Sequence, residues 1–208
     1  MGGGGINRHE AVVFDFGNVL CRINRAAFSE ALAAHCPHDP GTIGRLLWGD
    51  DLEKDNETGK IDSRTHHAKV RERIGAADSL DYETFRKAYM LILEPNPDGI
   101  EALRYARARG ARIFILSNIA FLHATWIFSD ENLATIPELH ILSYKVGVMK
   151  PDPLIWRKLL GYTGLAAEDC LYVDDIEEYC VTARSLGFDV LKYDFRLQNL
   201  SRELENVL

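Results

Sequence analysis

Ala11-Val-Val-Phe14 is an unbroken apolar run, and Asp15 closes it. Consecutive apolar residues without alternation indicate a strand buried on both faces, as in a parallel sheet. The same pattern returns downstream. Arg112-Ile-Phe-Ile-Leu116 ends at Ser117-Asn118, His140-Ile-Leu142 is weaker, Cys170-Leu-Tyr-Val173 ends at Asp174-Asp175, and Phe188-Asp-Val-Leu191 is the last. Helical patterns separate these runs. Pro97-Asp98 opens one through Ile100, Leu103 and Ala106, and Gly110 closes it. Pro153 opens another, with Ile155, Trp156, Leu159 and Leu160 on one face, and a third runs from Asp175 to Leu186 before Gly187. The alternation predicts an α/β fold built on a doubly wound parallel sheet.

Residues 21–96 break the alternation. They show no obvious buried strand and predict several helices, with apolar faces at Phe28/Ala31/Leu32, Ile43/Leu46/Leu47, Ala68/Val70/Ile74 and Phe85/Tyr89/Ile92/Leu93. The expected organisation is a catalytic core from 8–20 and 97–208, with 21–96 a small helical cap inserted after strand one and Pro95-Asn96-Pro97 as its hinge.

The chain has 208 residues and a formal charge of −7, from 24 Lys and Arg against 31 Asp and Glu. That length can bury a core without metal or disulfide staples. The acidic balance argues against a nucleic-acid partner. No apolar run reaches the roughly 20 residues that span a bilayer. Met1-Gly-Gly-Gly-Gly-Ile6 lacks a basic, then apolar, signal pattern and is expected to be a flexible leader. Cys21, Cys36, Cys170 and Cys180 form no Cys-x-x-Cys pair, so free thiols and a cytoplasmic location are expected. His35-Cys36-Pro37-His38 lacks a second ligand pair at zinc spacing and is read as a polar loop. Oligomeric state is left open.

Polar residues follow the strand ends in order: Asp15, then Ser117-Asn118, then Asp174-Asp175. Open α/β sheets bind ligands at the carboxyl ends of their strands, so the fold gathers these groups in one crevice. Lys150, in Met149-Lys-Pro-Asp-Pro153, can reach it, and its Lys-Pro context favours it over Lys145. Three neighbouring carboxylates cannot all stay ionised without compensation. A hard divalent cation, Mg²⁺, supplies it through Asp15, Asp174 and Asp175. Lys150, the Ser117 hydroxyl, Asn118 and nearby backbone N–H groups would hold anionic oxygens. These are the parts of phosphoryl transfer, with Asp15 as nucleophile, Lys150 as its cationic partner, and a small phosphorylated molecule as substrate.

With these motifs in place, the chain resembles the haloacid dehalogenase superfamily. Phe14-Asp-Phe-Gly-Asn-Val-Leu20, Leu116-Ser-Asn118, Lys150-Pro-Asp-Pro153 and Tyr172-Val-Asp-Asp175 match its four motifs in order, from about residue 10 to 192. The resemblance implies a Rossmann-like core under a cap, and Mg²⁺ held by Asp15, the Gly17 carbonyl, Asp174 and Asp175. It also implies a general acid two residues after the nucleophile, where this chain carries Gly17. General acid catalysis is worth about 10²–10⁴-fold. The Asp-x-Gly-Asn first motif resembles a branch containing sugar-phosphate phosphatases, whose anomeric leaving group asks less of an acid. Two alternatives stand beside the phosphatase: a degenerate phosphate-binding protein lacking that acid, and a metal-independent dehalogenase, which the acidic pair opposes. Tyr179 also departs from the Asn often found there. Asn18 is expected to hold its turn, Trp48 to be core, and Asp55, Glu57, His66 and His67 to lie on solvated helix faces.

Overall fold

In the computed structural model, which describes residues 9–208, the two faces of one central strand set the layers. The glycine-rich leader and residue 8, the expected start of the core, lie outside the described residues. The strands are β1 (Ala11–Phe14), β2 (Cys21–Ile23), β3 (Leu93–Pro95), β4 (Arg112–Ser117), β5 (Leu139–Leu142), β6 (Cys170–Asp174) and β7 (Asp189–Lys192). Helices α1 (Arg25–Ala33), α2 (Pro40–Leu47), α3 (Asp51–Glu57), α4 (Ser63–Ile74) and α5 (Tyr82–Met90) lie between β2 and β3. After β3 come α6 (Pro97–Ala108), α7 (Phe121–Ser129), α8 (Glu131–Thr135), α9 (Ser143–Val146), α10 (Leu154–Thr163), α11 (Glu177–Ser185) and α12 (Leu200–Glu205).

Five strands form a parallel sheet in the order β5-β4-β1-β6-β7. All five runs predicted as strands are in it. Alternate residues point to opposite faces. Val12, Phe14, Ile113, Ile115, Leu171 and Val173 meet α6 and α12 on one side. Ala11, Val13, Phe114, Leu116, Cys170 and Tyr172 meet α10 and α11 on the other. The strand order reverses at β1, which places the ligand crevice at its carboxyl end. The C-terminal segment packs on this core rather than projecting from it. Asp98, in the first turn of α6, accepts hydrogen bonds from Leu200 N (2.7 Å), Asn199 Nδ2 (2.8 Å) and the Tyr193 hydroxyl (2.9 Å).

Residues 21–96 are not wholly helical. β2 and β3 form an antiparallel pair, Cys21 beside Pro95 and Ile23 beside Leu93. Three residues are too few for periodicity to reveal, and pairing partners about seventy positions apart leave no local signal. Ile92 and Leu93 accordingly follow α5 instead of belonging to it. The helices themselves are started by aspartates: Asp39, Asp50, Asp62 and Asp81 each accept a backbone N–H at the head of α2 to α5. Ala68, expected on the apolar face of α4, is exposed. His66 and His67 take that face with Val70 and Ile74. Both histidines are buried, not solvated, because the Phe85 ring packs at 5.6 and 5.0 Å from them. The four cysteines are free thiols. Among the described residues no helix is long and apolar enough to cross a membrane.

The loop after β1 is held by the start of α6. Asn96 Nδ2 donates to the Val19 carbonyl at 2.7 Å, and Gly99 lies directly on the same turn, where a Cβ would come within 2.9 Å of Leu20 Cα. Neither neighbour is a flexible side-chain tip, so the backbone itself would have to move. Gly99→Ala is expected to cost about 1–3 kcal/mol. Each kcal/mol lowers the melting temperature by roughly 2–4 °C in a chain of this size. A melting curve unchanged from wild type would show that the turn yields freely.

Candidate active site

Parallel register brings the acids together. Phe14 lies beside Val173, so the next residues, Asp15 and Asp174, reach the sheet edge at one level, and Asp15 N–H donates to the Val173 carbonyl at 2.8 Å. One carboxylate oxygen from each of Asp15, Asp174 and Asp175 lies within 4.8 Å of the others. Lys150 is buried between them. Its Nζ donates to Asp15 Oδ1 and Asp174 Oδ2, both at 2.7 Å, and lies 3.2 Å from the Tyr172 hydroxyl. That hydroxyl in turn donates to Asp174. Asn118 fixes the lysine backbone on both sides: its Oδ1 accepts from Lys150 N at 2.7 Å, and its Nδ2 donates to Lys150 O at 2.9 Å.

Asn18 adopts a left-handed conformation, φ 54°, which asparagine tolerates better than most residues. It holds the turn, since its Oδ1 accepts from Ile23 N at 3.1 Å, and it also orients Asp175 through Nδ2 at 3.0 Å. A Cβ placed on Gly17 would be 3.9 Å from Asp15 Oδ2 and 3.4 Å from Ile23 Cγ1. The position thus faces the Asp15 carboxylate and has ordinary room for a side chain it does not carry.

Three carboxylates and one ammonium leave two uncompensated negative charges when all are ionised. Burial pushes the Asp15 pKa up to about 7; Lys150 opposes this, and Asp174 and Asp175 add to it. Asp175 is raised in the same direction, first by burial. Burial alone would lower the Lys150 pKa, but Asp15 and Asp174 outweigh it and hold the ammonium protonated. An all-oxygen cluster with surplus negative charge suits a hard divalent cation such as Mg²⁺. It is the only group of three or more His, Cys, Asp or Glu side chains so arranged among the described residues.

A cavity of about 390 Å³ opens on these groups. Asp15, Gly17, Asn18, Asn118, Lys150 and Asp175 line it from the sheet side. Ser117 and Asp174 are fully buried behind them, and the Ser117 hydroxyl donates to the Asn118 carbonyl at 3.2 Å. Lys145 is exposed, with Nζ 5.1 Å from the Phe128 ring centre, and takes no part.

Arg25, Trp48, Glu53, Glu57, Tyr89 and His123 line the opposite side. Trp48 packs against the core, 5.9 Å from the Phe28 ring, and also forms part of the wall: the Arg25 guanidinium lies 4.7 Å from its ring centre and donates to Glu53 at 2.5 Å. Glu57 faces the cavity instead of bulk water, and burial, with Glu53 adding, pushes its pKa up to about 8. Asp55 pairs with Lys60 away from the site. Tyr179 packs its ring 4.8 Å from Lys150 Nζ. Tyr172 carried a sequence signal, because it precedes Asp174 by two positions in a strand and so shares its face. Arg25, Glu53, Tyr89 and His123 reach the cavity through helix packing alone.

Comparison with known proteins agrees with this geometry. The family model for haloacid dehalogenase-like hydrolases matches residues 9–187. A phosphatase of Mycobacterium tuberculosis (strain CDC 1551 / Oshkosh), MT3486, is 30% identical over 106 residues, covering 50% of this chain and 49% of that protein. The chain thus spans about half the length of that relative. The sesquiterpene phosphatase astK of Aspergillus oryzae (strain ATCC 42149 / RIB 40) is 24% identical over 186 residues, 86% of each chain. The crystal structure of the family enzyme bt-2542 from Bacteroides thetaiotaomicron, complexed with magnesium and inorganic phosphate, superposes with a TM-score of 0.79 at 20% identity, over 91% of this chain and 96% of that one. At that identity the likeness is one of fold.

The shifted groups make stability depend on pH. Asp15 binds its proton more tightly folded than unfolded, so stability falls as pH rises from 3.8 towards 7; Glu57 acts likewise from 4.5 towards 8. Burial lowers the pKa of His66 and His123 to about 4, so they lower stability as pH drops below 6.5. Above 6.5 only the carboxyl contribution remains. Metal-free Asp15→Asn is therefore expected to melt a few degrees above wild type at about pH 8, with the gap closing near pH 5. Excess Mg²⁺ should raise wild type more than the variant. Calorimetric melts in chelator and in Mg²⁺ check this; a variant less stable than wild type at both pH values would refute it.

Proposed function

Because the chain belongs to the haloacid dehalogenase-like hydrolase family, we propose that it is a Mg²⁺-dependent phosphatase that cleaves a small phosphorylated metabolite through an aspartyl-phosphate on Asp15. The observation that carries this reading is the buried Lys150 ammonium shared by Asp15 and Asp174, with Asp175 beside them. A nucleophilic carboxylate needs its charge restrained but not removed, and a phosphoryl group needs cations on its equatorial oxygens. Mg²⁺ would be held by Asp15, the Gly17 carbonyl, Asp174 and Asp175, and would offset the charge of phosphate and carboxylates together. The Mg²⁺–phosphate complex of the Bacteroides enzyme and the two phosphatase relatives support the assignment.

In this reading Asp15 attacks phosphorus in line with the leaving oxygen. Lys150 keeps Asp15 oriented through its 2.7 Å hydrogen bond, and the Asn118 clamp keeps Lys150 in place. Lys150 and the Asn118 amide are the phosphate contacts; the Ser117 hydroxyl joins them by turning from its bond to the Asn118 carbonyl. Residues 21–96 act as the cap and supply the substrate side of the cavity. The charged pair Arg25–Glu53 beside the Trp48 ring suits a hydroxylated substrate such as a sugar phosphate, while the astK relative supplies the apolar alternative. Free thiols support a reducing, cytoplasmic setting. Gly17 favours a second reading, a slow or purely phosphate-binding protein.

Phosphate release from sugar phosphates, prenyl phosphates and 4-nitrophenyl phosphate decides between them. The expected result is Mg²⁺-dependent turnover that chelation removes and that Asp15→Asn lowers by at least about 10³-fold. Tight phosphate binding without turnover on any compound would establish the binding protein. Turnover of a haloacid without metal would establish the dehalogenase.

A further inference from the structure

Cleavage of an alkyl phosphate leaves an alkoxide, a poor leaving group until a proton reaches its oxygen. Gly17 cannot provide one, so the donor must come from elsewhere in the cavity. Lys150 is committed to Asp15 and Asp174. Asp175 belongs to the carboxylate cluster. Glu53 is ion-paired with Arg25 and accepts from Gly49 N at 2.9 Å. His123 is buried, stacked on Tyr89 at 4.0 Å, with Nε2 donating to the Tyr89 carbonyl. The phenols of Tyr89 and Tyr179 are both held above their ordinary pKa, chiefly by burial, and are weak acids.

Glu57 differs from all of these. No hydrogen bond or ion pair reaches its carboxyl among the described residues, and Glu57 lines the same cavity as Asp15 and Gly17. Its backbone is anchored to the sheet ends. The Ser143 hydroxyl donates to the Glu57 carbonyl at 2.6 Å and accepts from Ile119 N, just past β4, at 2.8 Å. Two residues on, Gly59 sits at φ 70° against Tyr144, where a Cβ would come within 3.2 Å of the Tyr144 carbonyl carbon. An unpaired carboxyl on a pinned backbone, carried by a residue that lines the cavity, is the arrangement that proton transfer needs.

We propose, resting on the phosphatase reading above, that Glu57 is the acid–base residue of this site. As Asp15 bonds to phosphorus, the bond from phosphorus to the ester oxygen breaks, its electron pair stays on that oxygen, and the Glu57 proton goes to it. The alcohol departs and Glu57 is left as carboxylate. Water then attacks the phosphorus; its proton goes to Glu57 as the bond to Asp15 breaks, which frees inorganic phosphate and restores both carboxyls. The charged groups around Glu57 set its protonation. Glu53 and Asp15 favour the acid form, Arg25 and Lys150 oppose it, and burial dominates, so the carboxyl carries its proton up to about pH 8.

The test uses Mg²⁺-loaded protein and aryl phosphates from 4-nitrophenyl, a good leaving group, to unsubstituted phenyl, a poor one. kcat/KM reports only steps through leaving-group departure. Glu57→Gln should lower kcat/KM by about 10²-fold or more on phenyl phosphate and by much less on 4-nitrophenyl phosphate. Its kcat should fall on both, with phosphorylated Asp15 accumulating. Wild-type kcat/KM on phenyl phosphate should decline on an alkaline limb, and the variant should lose that limb. Adding Gly17→Asp to Glu57→Gln should restore phenyl phosphate cleavage. Equal losses across the series would mark a structural role and overturn the proposal. So would an unchanged Glu57→Gln while Asp15→Asn is inactive, an outcome that leaves the phosphatase reading standing. Absence of any Asp15-dependent turnover in wild type would remove that reading and this proposal together.

Discussion

A buried ammonium between two carboxylates organises this molecule. Lys150 Nζ lies 2.7 Å from oxygens of both Asp15 and Asp174, and all three side chains are nearly inaccessible. Buried ions of this kind contribute little net stability, because desolvation offsets their attraction. What they do is impose order. Removing the lysine would leave three buried or half-buried acids facing one another, so the loop after β5, the end of β1 and the end of β6 must meet where they do. The Asn118 clamp on the Lys150 backbone extends the same constraint to the end of β4.

That constraint also leaves a charge deficit. One ammonium does not balance three carboxylates; burial does most to raise the Asp15 pKa, and Asp174 and Asp175 add to it. The deficit faces a cavity whose far wall comes from α1, α3, α5, their connections and His123 of α7. The cavity is therefore walled by two different parts of the chain. The sheet ends supply the carboxylates and the lysine. The inserted helices supply Arg25, Trp48, Glu53 and Glu57, and the contact of Ser143 with Glu57 ties the two sides together.

The strand motifs were legible because their signals are local. Each buried strand is a short apolar run, and the acids and Asn118 follow or end their strands directly, while Lys150 carries its own Lys-Pro signal. Asp15, Asn118, Lys150, Asp174 and Asp175 all border the site or its carboxylate cluster, while Ser117 points its hydroxyl away from the cavity. The inserted segment was read less well. Helix periodicity identified apolar faces but could not separate a polar residue facing solvent from one facing a cavity. Glu57 and His66 fell on that ambiguity, since both are titratable residues on short helices that become buried only when α3, α4 and α5 pack together. Trp48 shows the converse, a large apolar ring that packs against the core and lines a wall as well.

The sequence by itself determined the α/β alternation, the order of the four motifs and the identity of the carboxylate cluster, because parallel strands carry their end residues to one edge whatever the connecting segments do. Tertiary structure alone decided which side chains face that edge from across the cavity. It also decided the pairing of β2 with β3 and the environment that keeps the Glu57 carboxyl protonated. The physical reason is one of range: strand burial and capping are set by neighbours within a few residues, whereas burial of a helix side chain depends on surfaces tens of residues distant that meet only in the folded chain.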